Sequence, residues 1–287
     1  MNMTSLRFFL TENFSVSGDI LFRVSSYSNL IMIAYTGGEP FAVIKIPKTP
    51  AQGNRILQVA TRTAELRDLA QIRPYLPEKT LTWSLNGKNV LVESFCPGRP
   101  PGNDSACRQI RPDIFEFQAA LLQTFSSRKQ PRQALADAIN NLEVSGATMD
   151  AKQLLLEQAY RVEASRLLTG VPHGDFTPNN LLVKRGSLVS VIDWEYGKPD
   201  ECFFFDLFSF LISSCITPAD RRLADSKQDL LKAGYLRLQQ ELLHGSGGLA
   251  DQVTAFCRRT NDDEIDLTFM LNYSICRMHN RIVPYIS

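Results

Sequence analysis

The stretch HGDFTPNNLLVKRGSLVSVIDWE, residues His173 to Glu195, decides how the rest of the chain reads. Leu181 to Lys184 and Leu188 to Ile192 are apolar, β-prone runs, and Arg185-Gly186-Ser187 between them supplies a turn. The simplest structure is a hairpin. Its two ends come together, which predicts Asn180 and Asp193 side by side at the open end. Asp175 lies on the short loop before it, and Pro172 and Pro178 keep that loop out of a helix. Three oxygen-bearing side chains are thus expected to converge. Hard cations such as Mg²⁺ select such a site, with one or two carboxylates and a substrate's phosphates completing the shell.

The order and spacing carry a resemblance. His173-Gly174-Asp175, four residues, Asn180, then Ile192-Asp193 resembles the catalytic and metal-binding segments of the kinase fold, whose loop reads H-R-D-x-x-x-x-N and whose metal Asp heads D-F-G. The His-Gly-Asp opening and the Ile-Asp-Trp-Glu ending are similar to the aminoglycoside phosphotransferase and choline kinase superfamily, enzymes that phosphorylate small molecules. Each residue taken alone has an ordinary explanation: Asp175 as a turn former, Asn180 as a strand-end cap. The resemblance implies an α+β, two-lobed, protein-kinase-like fold. In that fold a five-stranded antiparallel N-lobe sheet with one helix precedes a mainly helical C-lobe. It implies Mg²⁺ and ATP or GTP as phosphoryl donor. It makes Asp175 the group that accepts or orients the proton of the attacking hydroxyl, with Asn180 and Asp193 as metal ligands. His173 and Asp206, in the same comparison, brace the loop.

Composition agrees with such an enzyme. The 287 residues can bury a large core in one or two domains. Lys plus Arg is 31 and Asp plus Glu is 30, a net charge of +1, which argues against a dedicated nucleic-acid or anionic-membrane binder. Six cysteines are scattered without a C-x-x-C pair, so reduced thiols and a cytoplasmic location are expected. The beginning, MNMTSLRFFLTENF, lacks the apolar core of a signal peptide. The apolar run Phe203 to Ile216 is too short to span a bilayer, so no membrane insertion is expected.

Upstream of the opening stretch, Ile20 to Val24, Leu30 to Tyr35 and Phe41 to Ile46 read as strands, the last two joined at Gly37-Gly38. Ser25 to Asn29 joins the first two and contains no glycine. It is an ordinary polar turn or, by resemblance, a loop over the nucleotide phosphates that uses Ser28 and Asn29. Lys45 sits in an apolar strand. Alternation would put Ala42, Ile44 and Ile46 on one face, with Val43 and Lys45 on the other, facing solvent. The resemblance makes Lys45 the phosphate-binding lysine instead. Asn54 to Arg73 reads as one helix, capped by Asn54 and stopped by Pro74. By resemblance Glu65 on that helix holds Lys45, with Asp68 as the rival and surface pairing as the ordinary explanation for either.

Leu81 to Leu85 and Val90 to Glu93, joined across Asn86-Gly87, complete the sheet. Glu93 to Pro100 breaks all periodicity and reads as a hinge, which divides the chain into a nucleotide-binding lobe, 1–94, and a helical catalytic and acceptor-binding lobe, 95–287. In the resemblance the Glu93 carbonyl and the Phe95 amide hydrogen-bond the base. Further helices are expected over Pro112 to Phe125, Pro131 to Leu142, Thr148 to Leu168, Phe203 to Ser214, Ala219 to Leu243 and Asp262 to Ile282. Asn261 to Glu264 reads as a helix cap, or as one wall of a pocket for a cation. Trp194, Tyr235 and Tyr273 are core aromatics or part of an aromatic cage. The partners implied are a nucleotide and a small acceptor such as an aminoglycoside, amino alcohol or sugar. A non-catalytic pseudokinase is the alternative, favoured by the missing glycines. A protein kinase is less apt, because no D-F-G and no A-P-E follow.

Overall fold

The computed structural model describes residues 3–26, 30–85, 87–129, 139–140, 153, 156–157, 167–170, 172–194, 201–244, 248–260 and 267–282. The chain divides into two compact units, Met1–Gly98 with Val189–Glu195, and Arg99–Leu188 with Tyr196–Ser287.

In the first unit, strands β1 (Ile20–Ser26), β2 (Leu30–Thr36), β3 (Glu39–Ile46), β4 (Thr80–Leu85) and β5 (Lys88–Ser94) form one sheet in the order β1-β2-β3-β5-β4. Every pairing is antiparallel. The β2–β3 turn is tight because Gly37 and Gly38 both take positive φ, 56° and 88°, as a hairpin turn matched to strand twist requires. Each face carries a helix. Helix α1 (Met3–Phe14) buries Leu6 and Leu10 against Met32, Ala34, Ala42, Ile44, Val90 and Val92. Helix α2 (Pro50–Arg67) packs Ile56 and Val59 on Leu91. Alternation along β5 puts Leu91 on the opposite face from Val90 and Val92, so the sheet is covered on both sides.

Two expectations are corrected here. The sheet carries two helices, not one. The sequence pattern of α1 is weak because its fully buried residues are few, and Trp83, on which its Phe9 stacks with centroids 5.5 Å apart, lies far away in sequence. Lys79 secures the end of α1, donating from Nζ to the Asn13 carbonyl at 2.7 Å, where a cation suits the helix dipole. Helix α2 begins at Pro50 rather than Asn54. Thr49 caps it, receiving the Gln52 amide, while the Gln52 side chain accepts the Thr49 amide, and Pro50 tolerates the first helical position. It ends at Arg67, and Arg73–Tyr75 is a separate 3-10 turn.

The second unit contains α3 (Asp104–Gln109), α4 (Arg111–Phe125), and a three-stranded sheet of β6 (Ser127–Lys129), β7 (Leu167–Gly170) and β10 (Glu201–Cys202), ordered β10-β7-β6. Strand β8 (Leu181–Lys184) pairs in the expected hairpin with β9 (Ser187–Val191), whose last three residues belong to the first unit. Arg185 and Gly186 both take positive φ at its turn, 53° and 83°, and a Cβ on Gly186 would meet Gln109 Nε2 at 2.1 Å. Helices α5 (Phe205–Ser214), α6 (Pro218–Leu223), α7 (Lys227–His244), α8 (Leu249–Arg259) and α9 (Leu267–Ile282) complete it.

Helix α5 is the core of this unit, buried along almost its whole length. Phe204, just before it, meets Tyr273 of α9 edge to face at 5.4 Å. Helix α7 crosses so close that a Cβ on Gly234 would lie 2.4 Å from the Ile212 carbonyl oxygen, so that position requires glycine. The expected single helix Ala219 to Leu243 is two helices. Asp220 makes a capping box with Thr217 for α6, and Ser226 accepts the Asp229 amide at the start of α7, so local caps outcompete one continuous helix. Leu167 and Leu168, expected as a helix end, are in β7. Helix α8 was not expected. Most of the helices expected over 131–142 and 148–166, and the acidic stretch Asn261 to Glu264, lie outside the described residues. Among the described residues no helix is long and apolar enough to cross a membrane. All six cysteines are free thiols and five are buried, with burial pushing Cys107 and Cys215 up to about 11.

Candidate active site

The second unit fixes the loop His173 to Asn180. Its anchor is Asp206, in the first turn of α5, with only 2% of its surface exposed. One carboxylate oxygen accepts the His173 amide at 2.5 Å and the other the Gly174 amide at 2.9 Å. A buried carboxylate needs such donors, and the helix N-terminus favours its charge. This is the bracing role that the resemblance implied for Asp206. His173 is fully buried, and its Nδ1 accepts the Asp175 amide at 3.2 Å. The other ring nitrogen therefore carries the proton, and His173 shapes the loop rather than serving as a base. Phe176 pins the turn from below, stacked on Phe117 at 5.7 Å and edge-on to His173 at 5.8 Å.

Asp175 projects from this frame half-buried. Asn180 closes the 3-10 turn Pro178–Asn180, and its Nδ2 donates to the Asp175 carbonyl at 2.8 Å and to Asp175 Oδ2 at 2.9 Å. The amide thus orients the carboxylate and leaves Asn180 Oδ1 as an acceptor. Asp175 and Asn180 are brought together as the spacing predicted.

The first unit builds a second cluster, on the α2 face of its sheet. Lys45 of β3 lies directly opposite Leu91 of β5, and Val43 opposite Glu93. Lys45 and Glu93 are thus diagonal neighbours on one face, a separation that long side chains bridge. Lys45 Nζ lies 3.0 Å from Glu93 Oε2 and also donates to Asp193. The Lys45 and Glu93 side chains are 12% and 9% exposed, and that of Asp193 is 38% exposed. Burial works against the charge on Lys45, but the carboxylates of Glu93 and Asp193 outweigh it and hold its pKa above the ordinary lysine range. The solvent-facing explanation for Lys45 is set aside.

Asp193 follows β9 in a left-handed backbone conformation, φ 63°, which Asp tolerates better than most residues. Trp194 locks the turn by donating from Nε1 to the Val191 carbonyl at 3.1 Å. Being buried there, Trp194 is a packing residue, not a cage wall. Tyr273 is likewise core, and the Tyr235 hydroxyl is bonded to Asn272 at 2.6 Å.

Two site expectations are corrected. Glu65 is exposed on α2 and does not meet Lys45; Glu93 and Asp193 do. The buried face of α2 runs Gly53, Ile56, Val59, Thr63, Leu66, and Glu65 is a full 100° out of phase with Leu66 and about 200° from Thr63. The Glu93 side chain was missed. Its signal was the acidic residue ending an apolar strand, Val90-Leu91-Val92-Glu93, in register with β3. The hinge groups expected to meet a base are engaged within the sheet. The Phe95 amide donates to the Phe41 carbonyl at 2.9 Å. Antiparallel alternation then makes Val43–Glu93 a hydrogen-bonded pair, so the Glu93 carbonyl is engaged in the ladder as well. Cys96 has the first amide past the sheet that makes no bond among the described residues. Ser28 and Asn29 lie outside the described residues; the register of β1 with β2 shows a connection of three residues, 27–29.

Comparison with known proteins adds family membership. The profile of the phosphotransferase enzyme family matches residues 25–240. No curated protein matches the chain. Among solved structures, the chain is similar to a thermostable mutant of aminoglycoside phosphotransferase APH(4)-Ia in ternary complex with ADP and hygromycin B. That match has TM-score 0.53 and 15% identity, over 95% of this chain and 98% of that one. It is also similar to the GDP complex of wild-type aminoglycoside 2'-phosphotransferase-IIIa, with TM-score 0.52 and 13% identity over 99% of this chain and 100% of that one. At those identities the likeness establishes the two-lobed kinase-like fold. With a profile match over most of its length and an Asp175–Asn180 loop and Lys45–Asp193 pair in its two units, the chain belongs to the phosphotransferase enzyme family.

Proposed function

We propose that this phosphotransferase moves the γ-phosphate of ATP or GTP to a hydroxyl of a small acceptor such as an aminoglycoside, an amino alcohol or a sugar. The observation that carries the reading is the Asp175 carboxylate, held from one side by Asn180 Nδ2 and on a backbone tied to buried Asp206. Phosphoryl transfer asks a protein for positioning and charge neutralisation more than for covalent chemistry. A carboxylate locked in this way is suited to orient an attacking hydroxyl and take its proton.

Asn180 Oδ1 and the Asp193 carboxylate are all-oxygen donors, the set that a hard cation prefers, and we assign Mg²⁺ to them. Bound there, the cation would neutralise charge on the nucleotide's phosphates. Lys45 would hold the α- and β-phosphates. We assign nucleotide binding to residues 1–94, with Ser28 and Asn29 near the phosphates, and catalysis and acceptor binding to 95–287. For the base we move the hinge donor from Phe95 to the Cys96 amide, since the Phe95 amide is engaged in the sheet. The ADP and GDP in the solved relatives support a nucleotide donor without choosing between adenine and guanine. The free thiols fit a reducing cytoplasm. The alternative, a nucleotide-binding module without activity, draws support only from the glycine-free connection after β1.

The test is a transfer assay on purified protein with an acceptor library, Mg²⁺ present or chelated, and ATP and GTP in parallel. Mg²⁺-dependent product on any hydroxyl acceptor is expected. Nucleotide binding with no transfer to any acceptor and no hydrolysis would favour the inactive module.

A further inference from the structure

We propose that the carboxylate which positions Lys45 for the nucleotide belongs to Glu93 of strand β5, and that helix α2 supplies none. The inference rests on the phosphotransferase reading and adds a positioning residue to it.

Four observations carry it. Glu93 Oε2 is 3.0 Å from Lys45 Nζ. Glu93 is buried slightly more deeply than the lysine, so the pair is sheltered from the screening that weakens surface ion pairs. Register places the contact within reach: with Lys45 opposite Leu91 and Val43 opposite Glu93, the two side chains are the diagonal pair on one face of the β3–β5 ladder. Finally, the turn of α2 that faces the sheet offers Thr63, which is fully buried and uncharged, while Glu65 points to solvent.

The second carboxylate on Lys45 explains why Glu93 matters. Asp193 contacts the same ammonium but is the more exposed of the two and is the residue assigned to the cation. Once Asp193 turns to a metal, Lys45 needs another fixed anion to keep its ammonium from swinging away. Glu93 is on a central strand, hydrogen-bonded on both sides, and has no part in the metal shell. It therefore stays with the lysine through the handover. The lysine's aim comes from the sheet itself, with no dependence on how α2 is placed.

The experiment is calorimetric titration of the full chain with MgADP and with MgGDP, on the wild type and on Glu93→Gln, Lys45→Met, the double variant and Glu65→Gln. Thermal unfolding checks that each is folded. Glu93→Gln keeps shape and removes charge, and should weaken binding of the preferred nucleotide about tenfold. Lys45→Met should weaken it at least as much. The double variant should be no worse than Lys45→Met alone, since Glu93 acts through the lysine. A purely structural role would instead give additive losses. Glu65→Gln should stay within about twofold of wild type.

Wild-type affinity in Glu93→Gln, additive losses in the double variant, or an equal loss in Glu65→Gln would each overturn the proposal. Should Glu93→Gln not fold, Glu93→Asp replaces it. That variant keeps the charge but withdraws it by one methylene, and is expected to bind with intermediate affinity and the same non-additivity. Failure of the parent reading looks different: a wild type that binds neither nucleotide, or a Lys45→Met variant that binds normally, removes the phosphate role of Lys45, and this proposal falls with it.

Discussion

The loop around Asp175 and the cluster around Lys45 are built in opposite ways. The loop is held through its main chain: two consecutive amides, His173 and Gly174, end on one buried carboxylate, and a third, from Asp175, ends on an imidazole. The cluster is held through side chains. Two carboxylates, from β5 and from the segment after β9, share the one ammonium nitrogen of Lys45 on β3. Backbone anchoring fixes a carboxylate in one geometry, as an acid–base group needs. Side-chain ion pairing leaves a group able to exchange partners, as the phosphate-holding role proposed for Lys45 requires. Precision and exchangeability are separate requirements, and the two clusters meet one each.

The sharpest way to break this contrast is Asp193→Ala. Loss of the cation ligand should reduce Mg²⁺-dependent transfer to background, because charge on the transferred group goes unneutralised. Lys45 keeps Glu93, so the thermal midpoint should hardly move. Normal transfer in that variant would end the metal assignment.

Asp175→Asn comes next. Asn keeps the size but cannot take a proton, and turnover should drop on the order of a hundredfold or more. Nucleotide affinity should be unchanged by calorimetry. Lost binding with normal turnover per bound complex would make Asp175 structural, contrary to the role given to the anchored loop.

Asp206→Ala tests the anchoring itself. It strands two buried amides, each costing about 1–3 kcal/mol, and denaturant unfolding should show a loss of about 2–6 kcal/mol. Transfer should fall even under conditions in which the variant is fully folded, since Asp175 then sits on an unanchored turn. A stable variant with intact transfer would show that Phe176 packing alone fixes the loop.

The smallest expected effect lies away from both clusters and calibrates them. Arg111 grips Glu241 with two bonds, 2.6 and 3.2 Å, and this holds the Glu241 carboxyl below its ordinary value of 4.5. A depressed folded pKa means that the pair's contribution is complete above pH 4.5 and fades as pH drops through the lower folded value. The thermal midpoint of the wild type should therefore fall more steeply than that of Glu241→Gln below pH 4.5. Parallel curves from pH 7 to pH 3 would show that the pair contributes nothing measurable.

How much of this was readable in advance follows from where each interaction lies along the chain. The Asp175–Asn180 bond spans five residues around Pro178, so it lies within the reach of local reading, which expected both side chains at the open end of the hairpin. The β8–β9 hairpin and the β4–β5 turn at Asn86-Gly87 were local in the same sense, and their turn residues predicted them. Helix α2 begins at Pro50 rather than at the expected Asn54 cap, and Thr before Pro with Gln at the third position is itself a start signal. Glu65 was read from motif position rather than helical phase. Counting 3.6 residues per turn from Ile56 would have set it on the outer face.

Residue type and short-range spacing therefore determined the sheet's strands, the β8–β9 hairpin and the loop that joins Asp175 to Asn180, because turns, caps and five-residue contacts are decided by local chain geometry. Tertiary structure alone decided that Glu93 holds Lys45, that the Phe95 amide is lost to Phe41, and that α1 covers the second face of the sheet. Those depend on which strand lies beside which and in what register. A pairing such as Lys45 with Asp193, 148 residues apart, carries no local signature, because it exists only once the strands between have formed.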